Sequence, residues 1–184
     1  MNKILIVSDI HGSKEASEKL VSLDYKYNFD RIIILGDINY NGARNAVPLD
    51  YSPKDVSQNL LNLKEKLTII KGNCDSRVDE FVLGIKFKDL VEETINGHHF
   101  IMTHGDLYSP SDFDLRPGDV YLYGHTHVYK LEKEDDHFII NPGSTTFPKE
   151  STFKTYIIYD LNKDEMTLFE LNDDKFIKNI ELNV

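Results

Sequence analysis

The chain has 184 residues, 40% of them hydrophobic and 28% charged, which fits one globular domain over 1–184. Its longest apolar runs, such as 4–7 and 32–35, are four residues long, far below the roughly 18 that a membrane span needs, so a membrane role is excluded. A net charge of −10 with only four arginines argues against nonspecific nucleic-acid binding, because a phosphate backbone would meet no basic surface.

One lysine and a short apolar run open the chain and lead straight into Ser8 and Asp9, which reads as a first strand and not a signal peptide, so a cytoplasmic location is expected. Residues 3–8 and 31–35 are predicted as short, buried, β-branched strands, and Ala16, Leu20, Leu23 and Tyr27 between them follow one helix face. A second helix is predicted with Ser52 as N-cap and Pro53 as its first residue, its apolar face running through Val56, Leu60, Leu63 and Leu67 to a strand at 68–71. This is a parallel strand-helix-strand layout. After about residue 85 the pattern changes to strands joined by turns at Asn96-Gly97, Asp135-Asp136 and 162–164, which predicts antiparallel hairpins. The two halves read as two sheets packed in one α/β domain.

Five predicted strands deliver polar side chains at their carboxyl ends: Asp9 and His11, Asp37, Asn73, His104, and His125 with His127. Ligands bind at that edge in open α/β sheets, and the neighbouring glycines let the backbone turn so that the side chains converge. Oxygen and nitrogen donors of this kind suit manganese, iron or zinc. Two carboxylates and four imidazoles exceed what one tetrahedral ion takes, so the set divides between two ions about 3.5–4 Å apart with Asp37 as the bridging carboxylate. Taken singly, Asp-Ile-His is also consistent with a helix approach, Gly-Asp with a turn and His104 with a core histidine. Their joint order favours the metal reading. His98, His99 and His137 fall at hairpin turns and are expected at the surface.

The ordered motifs Asp9-x-His11, Gly36-Asp37, Gly72-Asn73-Cys74-Asp75, Thr103-His104-Gly105 and Gly124-His125-Thr126-His127 resemble the calcineurin-like metallophosphoesterase superfamily over residues 3 to about 148. With Asn141-Pro142-Gly143-Ser144 and the short length, the chain is most similar to the small bacterial and archaeal YfcE-type phosphodiesterases. The resemblance implies a four-layer α-β-β-α sandwich of two mixed sheets. It implies one ion on Asp9, His11 and His127 with Asp37 shared, and a second on Asp37, Asn73, His104 and His125, with Asn73 and His104 also catalytic. Manganese is the first choice, with zinc, iron, nickel or cobalt as alternatives. A water between the ions, lowered in pKa, becomes the hydroxide that attacks a small phosphodiester in line.

Cys74 stands where many members carry a histidine that protonates the leaving group, and Asn41 stands where the YfcE-type pattern has histidine. Cys74 is read as a small side chain filling space beside the ligands, and the absent acid favours esters whose leaving group departs unprotonated. Asp75 either orients His104 or His125 or simply shapes its turn. In the polar loop after Asp37, Arg44 is read as a substrate clamp and Asn41 as a second substrate-binding position, and Arg77 and Arg116 as loop charges. Asn141 to Ser144 is a Pro-Gly turn closing on the Gly124–His127 loop. Competing readings are a protein-binding scaffold, as in a retromer subunit of this fold, and a phosphomonoesterase. The ten tyrosines and ten phenylalanines serve either a homo-oligomer interface or the core.

Overall fold

The structure, a computed structural model, describes residues 2–183. β1 (Lys3–Val7) leads through a polar turn into α1 (Lys14–Tyr27), and β2 (Arg31–Ile34) returns parallel to β1 with Ile6 beside Ile33. Ser13 caps α1 by accepting from the amide of Ala16, and Asn28 ends it in the left-handed region at φ 47°. α2 (Pro53–Leu61) begins as expected but ends early. Leu63 turns back onto Leu60 in a tighter hydrogen bond, residues 64–66 form a 3-10 turn, and Leu67, expected on the helix, starts β3 (Leu67–Ile69) opposite Ile32. Pairing with β2 outweighs the helical spacing there, since each residue of the strand gains a ladder position in the buried sheet.

α3 (Arg77–Leu83) was not foreseen, and Arg77 is its first residue instead of a loop charge. Its start is a capping box between Ser76 and Asp79, while Val78, Phe81 and Val82 face outward and Leu83 alone of its apolar residues is buried, so no inward apolar stripe announces it. β4 (Leu90–Ile95) and β5 (His98–Thr103) form the hairpin at Asn96-Gly97, both turn residues at positive φ. β6 (Val120–Leu122), β7 (Lys130–Glu134) and β8 (His137–Asn141) follow, and the chain ends in β9 (Thr155–Asp160), β10 (Glu165–Glu170) and β11 (Phe176–Glu181).

Two mixed sheets result, ordered β11-β10-β9-β1-β2-β3 and β4-β5-β6-β8-β7. The predicted hairpins form, but two expectations are corrected. β5, β6 and β8 run parallel, and β9 to β11 return to the first sheet, where β9 pairs antiparallel with β1. A turn motif reports its own two strands and not the sheet that they join.

The helices cover one face of the first sheet, with Leu20, Leu23, Val56 and Leu60 packed against Leu5, Val7, Ile32 and Ile34. The other face meets the second sheet through Ile6, Leu35, Phe100, Met102 and Leu122, each fully buried. Burying such a side chain contributes about 1.5–3 kcal/mol, so this seam holds the carboxyl ends of both sheets together. The second sheet's outer face carries Ile101, Tyr121 and Ile139 under Phe113 and Leu115, in a segment whose only helical turn is the 3-10 stretch Pro110–Asp112. Among the described residues no helix is long and apolar enough to cross a membrane.

Candidate metal centre

The polar residues that follow β1, β2, β3, β5 and β6 meet at one end of the seam, and the backbone bends sharply to bring them there. Asp9, His11, Asp37, His125 and His127 all have positive φ, between 48° and 64°. For residues other than glycine this conformation costs of order 1–3 kcal/mol and persists only where surrounding bonds impose it. Those bonds are present: the Asp9 amide donates to Gly36 O at 3.1 Å, His11 to Asp37 O at 2.9 Å, and Gly124 to His104 O at 2.9 Å. Ser144 Oγ holds Asp9 O at 2.9 Å and Thr146 Oγ1 holds Ile10 O at 2.7 Å, while Asn141 Nδ2 donates to Gly124 O at 2.8 Å. The turn after β8 thus closes on both loops. Gly36, at φ 94°, sits so close to its neighbours that a Cβ there would stand 2.6 Å from Gly72 N and 2.7 Å from His104 Nδ1.

Three imidazoles are oriented in the same way. Nδ1 of His11 meets Tyr40 O at 2.8 Å, Nδ1 of His104 meets Leu35 O at 2.6 Å, and Nδ1 of His127 meets Phe147 O at 2.8 Å. A carbonyl only accepts, so each Nδ1 carries a proton and each Nε2 points inward. There it meets carboxylate oxygens, another imidazole or an amide oxygen. His127 Nε2 lies 3.1 Å from Asp9 Oδ1 and 3.2 Å from His11 Nε2, and His11 Nε2 lies 3.6 Å from Asp37 Oδ2. On the other side His104 Nε2 lies 3.5 Å from Asp37 Oδ2, 3.2 Å from Asn73 Oδ1 and 3.3 Å from His125 Nδ1. Asp9 Oδ1 is buried without a hydrogen-bond donor.

Two buried carboxylates among four imidazoles gather positive charge, from protons on the rings or from a cation, and the donor set fits divalent ions. Ligand atoms about 2.1 Å from a shared ion stand about 3.0–3.4 Å from one another, close to the spacings here. A ligating histidine ordinarily gives its other N–H to a carbonyl or carboxylate, as His11, His104 and His127 do. Asp37 Oδ2 faces both groups, 3.6 Å from His11 Nε2 and 3.5 Å from His104 Nε2. The titration of the site points the same way. Burial works against charge at every member, yet the His11 and His127 imidazoles hold Asp9 below the ordinary carboxylate range, and His104 lowers Asp37. Against its own burial, His11 is raised by Asp9, and His104 is raised to about 9 by Asp37 and Asp9. His125 is lowered by burial and by the charge of His104.

A cavity of about 440 Å³ opens above this floor, walled by Tyr40, Gly42, Ala43, Arg44 and Asn45 from the loop after β2, by Asn73 and Cys74, and by Lys149. Arg44 therefore borders the site. Asn41 spends its amide within the loop, donating to Asn45 O at 3.2 Å. Cys74 N donates to Asp37 Oδ1 at 2.8 Å, and burial, with the Asp37 charge added, pushes its thiol up to about 12. Asp75 touches neither His104 nor His125. Its carboxylate accepts from the amides of Asp37, Ile38 and Gly72 at 2.8–2.9 Å, a staple joining the loops after β2 and β3, so its part is structural. Burial raises it to about 6 even though the Ile38 and Gly72 amides pull the other way.

Two residues escaped the sequence reading. Phe147 packs its ring 5.4 Å from His11 and 6.4 Å from His127, and Lys149 stands on the cavity wall. No local motif marks them, because the loops that carry them reach the site only through tertiary folding. His98, His99 and His137 are half-buried instead of freely exposed, and His98 bonds Gly118 O and Asp164.

The family described as the calcineurin-like phosphoesterase superfamily domain matches residues 2–164. The phosphodiesterase YfcE of Escherichia coli K12 is 34% identical over 185 aligned residues, covering 100% of both chains. A solved structure of that E. coli phosphoesterase superposes with a TM-score of 0.93 at 33% identity, covering 98% of this chain and 100% of that one. Vacuolar protein sorting 29 from Cryptosporidium parvum, 18% identical over 98% of each chain with a TM-score of 0.67, shares the fold.

Proposed function

The chain belongs to the calcineurin-like phosphoesterase superfamily and is a phosphoric diester hydrolase, and we propose that it works with two divalent ions, one on Asp9, His11, His127 and Asp37, the other on Asp37, Asn73, His104 and His125. The observation that carries this reading is the set of three imidazoles whose Nδ1 atoms are spent on carbonyls and whose Nε2 atoms turn toward Asp9 and Asp37. Bound there, the ions supply Lewis acidity toward the nonbridging oxygens of a phosphodiester and acidify the water that attacks phosphorus in line. The chain fixes that geometry in advance: backbone carbonyls lock the imidazole planes, and Asp75 locks the loop carrying Asp37. Asn73 borders the reacting phosphate with His104 behind it, and Arg44 binds the substrate from the wall.

Manganese is the first choice for a mixed set of carboxylate, amide and imidazole donors, with zinc, iron, nickel and cobalt behind it. Cys74 offers a thiol and not an imidazole at this position, a poor acid for a leaving group, so aryl diesters with stable leaving groups are favoured over alkyl ones. The compartment we assign is the cytoplasm, where a free Cys74 meets reducing conditions.

The test is hydrolysis of bis-p-nitrophenyl phosphate and p-nitrophenyl phosphate by metal-stripped protein titrated with Mn²⁺, beside Asn73→Ala. Metal-dependent cleavage that favours the diester and falls by about 10²-fold or more in the variant is expected. Stoichiometric metal uptake with no turnover under any of the five metals would replace this reading with that of a binding scaffold, and a faster monoester rate would make it a phosphomonoesterase.

A further inference from the structure

The cavity wall carries two cations that the reaction at the floor does not use up. Arg44 comes from the loop after β2 and Lys149 from the loop between β8 and β9. Both loops are tied to the floor: His11 Nδ1 meets Tyr40 O at 2.8 Å, His127 Nδ1 meets Phe147 O at 2.8 Å, and the Lys149 amide donates to His127 O at 3.1 Å. Lys149 O is held in turn by the Thr152 amide at 3.0 Å and by Thr152 Oγ1 at 2.7 Å. The backbones that aim the imidazoles thus also place the two cations.

Neither side chain has a partner among the described residues. Lys19, Lys66, Arg31 and Lys130 sit in ion pairs, whereas these two exposed cations stand open on the cavity wall. Formal charge then decides what the cations await. Two divalent ions against Asp9 and Asp37 leave two positive charges at the floor, and a diester monoanion with an attacking hydroxide cancels them. Arg44 and Lys149 remain, matched in charge to a phosphate monoester dianion. A cavity of about 440 Å³ lies within the size range of pockets that enclose whole small ligands, so there is room for such a group beyond the reacting phosphorus.

We propose that Lys149, with Arg44, forms a second anion subsite, and that the preferred substrates are phosphodiesters carrying a terminal phosphate on one alcohol arm. The proposal deepens the diesterase reading above and rests on it. Thymidine 5′-(p-nitrophenyl phosphate) and the same ester with a 3′-phosphate share reaction centre and leaving group and differ only in the added dianion. The Mn²⁺-loaded wild type is expected to prefer the 3′-phosphorylated ester by about tenfold in kcat/KM, through KM, since one charge-assisted contact is of that size. Lys149→Ala should bring the ratio of the two esters to near one, and Lys149→Arg should restore it. Calorimetry reads the same contact without turnover: thymidine 3′,5′-bisphosphate should bind more tightly than thymidine 5′-monophosphate, and lose that advantage in Lys149→Ala. A purely structural role for Lys149 would depress both esters alike and leave the ratio standing, which would overturn the proposal, as would a wild-type ratio near one. If the loaded wild type cleaves neither ester nor bis-p-nitrophenyl phosphate, the diesterase reading itself falls.

Discussion

Cys74 shows how one residue's chemistry follows from its neighbours and not from its identity. Beside a metal site it could have been a thiolate ligand or a nucleophile, and its sulfur does lie within reach of donor atoms of His11 and Asp37. Burial and the Asp37 charge nevertheless push the thiol up to about 12, so it stays protonated at neutral pH. Only the thiolate attacks an alkylating agent, so at pH 8 the metal-free folded protein should react with iodoacetamide on the order of a thousandfold more slowly than the unfolded chain. The rate should keep rising with pH to well above 10. Labelling within tenfold of the unfolded rate at pH 8 would show a reactive thiol and reopen the nucleophile role. At this scale the cluster was legible because Asp9, His11, Asp37, Asn73, His104, His125 and His127 each follow a strand that the apolar pattern marks. Lys149 and Phe147 were not, because nothing near them in the chain says which loop they will face.

Between elements, the loops that follow β2 and β3 carry Asp37 and Asn73, and Asp75 is what joins them. Its carboxylate takes three amide protons, from Asp37, Ile38 and Gly72. Asp75→Asn keeps the shape but turns an NH₂ group toward amides that need an acceptor. The loss should lower stability by about 1–3 kcal/mol, the usual consequence of leaving a buried donor unpaired. Because Asp37 moves with its loop, Mn²⁺ affinity should also fall by about 10–100-fold, as when a residue orienting a metal ligand is lost. Urea titration and calorimetry measure the two effects, and an unchanged metal affinity would confine Asp75 to a turn with no influence on the site. The element boundaries show what sequence pattern can and cannot settle. Ser13 and Pro53 marked helix starts correctly because capping is local chemistry. The early end of α2, the appearance of α3 and the parallel course of β5, β6 and β8 depend on partners distant in sequence, and Leu67 left its helical register to pair with Ile32.

Across the whole molecule the two sheets are joined at both ends of their seam, and only one end is the metal centre. At the opposite end of β1, in the turn between β9 and β10, Asp164 reaches across to the β4–β5 hairpin. Tyr159 Oη donates to Oδ1 at 2.6 Å, Asn96 Nδ2 donates to Oδ1 at 2.9 Å, and His98 Nε2 meets Oδ2 at 2.8 Å. Burial alone would raise this carboxyl, but hydrogen bonds from Tyr159, His98 and Asn96 outweigh it and hold it below the ordinary range. A carboxyl whose folded pKa is depressed favours the folded state above its unfolded value, near 3.9, and loses that contribution as pH falls through the folded value. Asp164→Ala in metal-free protein should therefore lower the unfolding free energy by about 1–2 kcal/mol at pH 7, toward the low end for charge-assisted bonds because solvent reaches the group. The gap between wild type and variant should hold from pH 7 to about pH 5 and shrink progressively as pH falls from the unfolded value through the lower folded one. Urea unfolding at pH 7, 5, 4 and 3 measures it, and a gap that is absent at pH 7, or that persists unchanged at pH 3, would mean that the carboxylate does not clasp the sheets. Because β1 separates this clasp from the ligands that follow Val7, Mn²⁺ affinity should be the same in both proteins, which distinguishes a loss of sheet docking from damage to the metal centre.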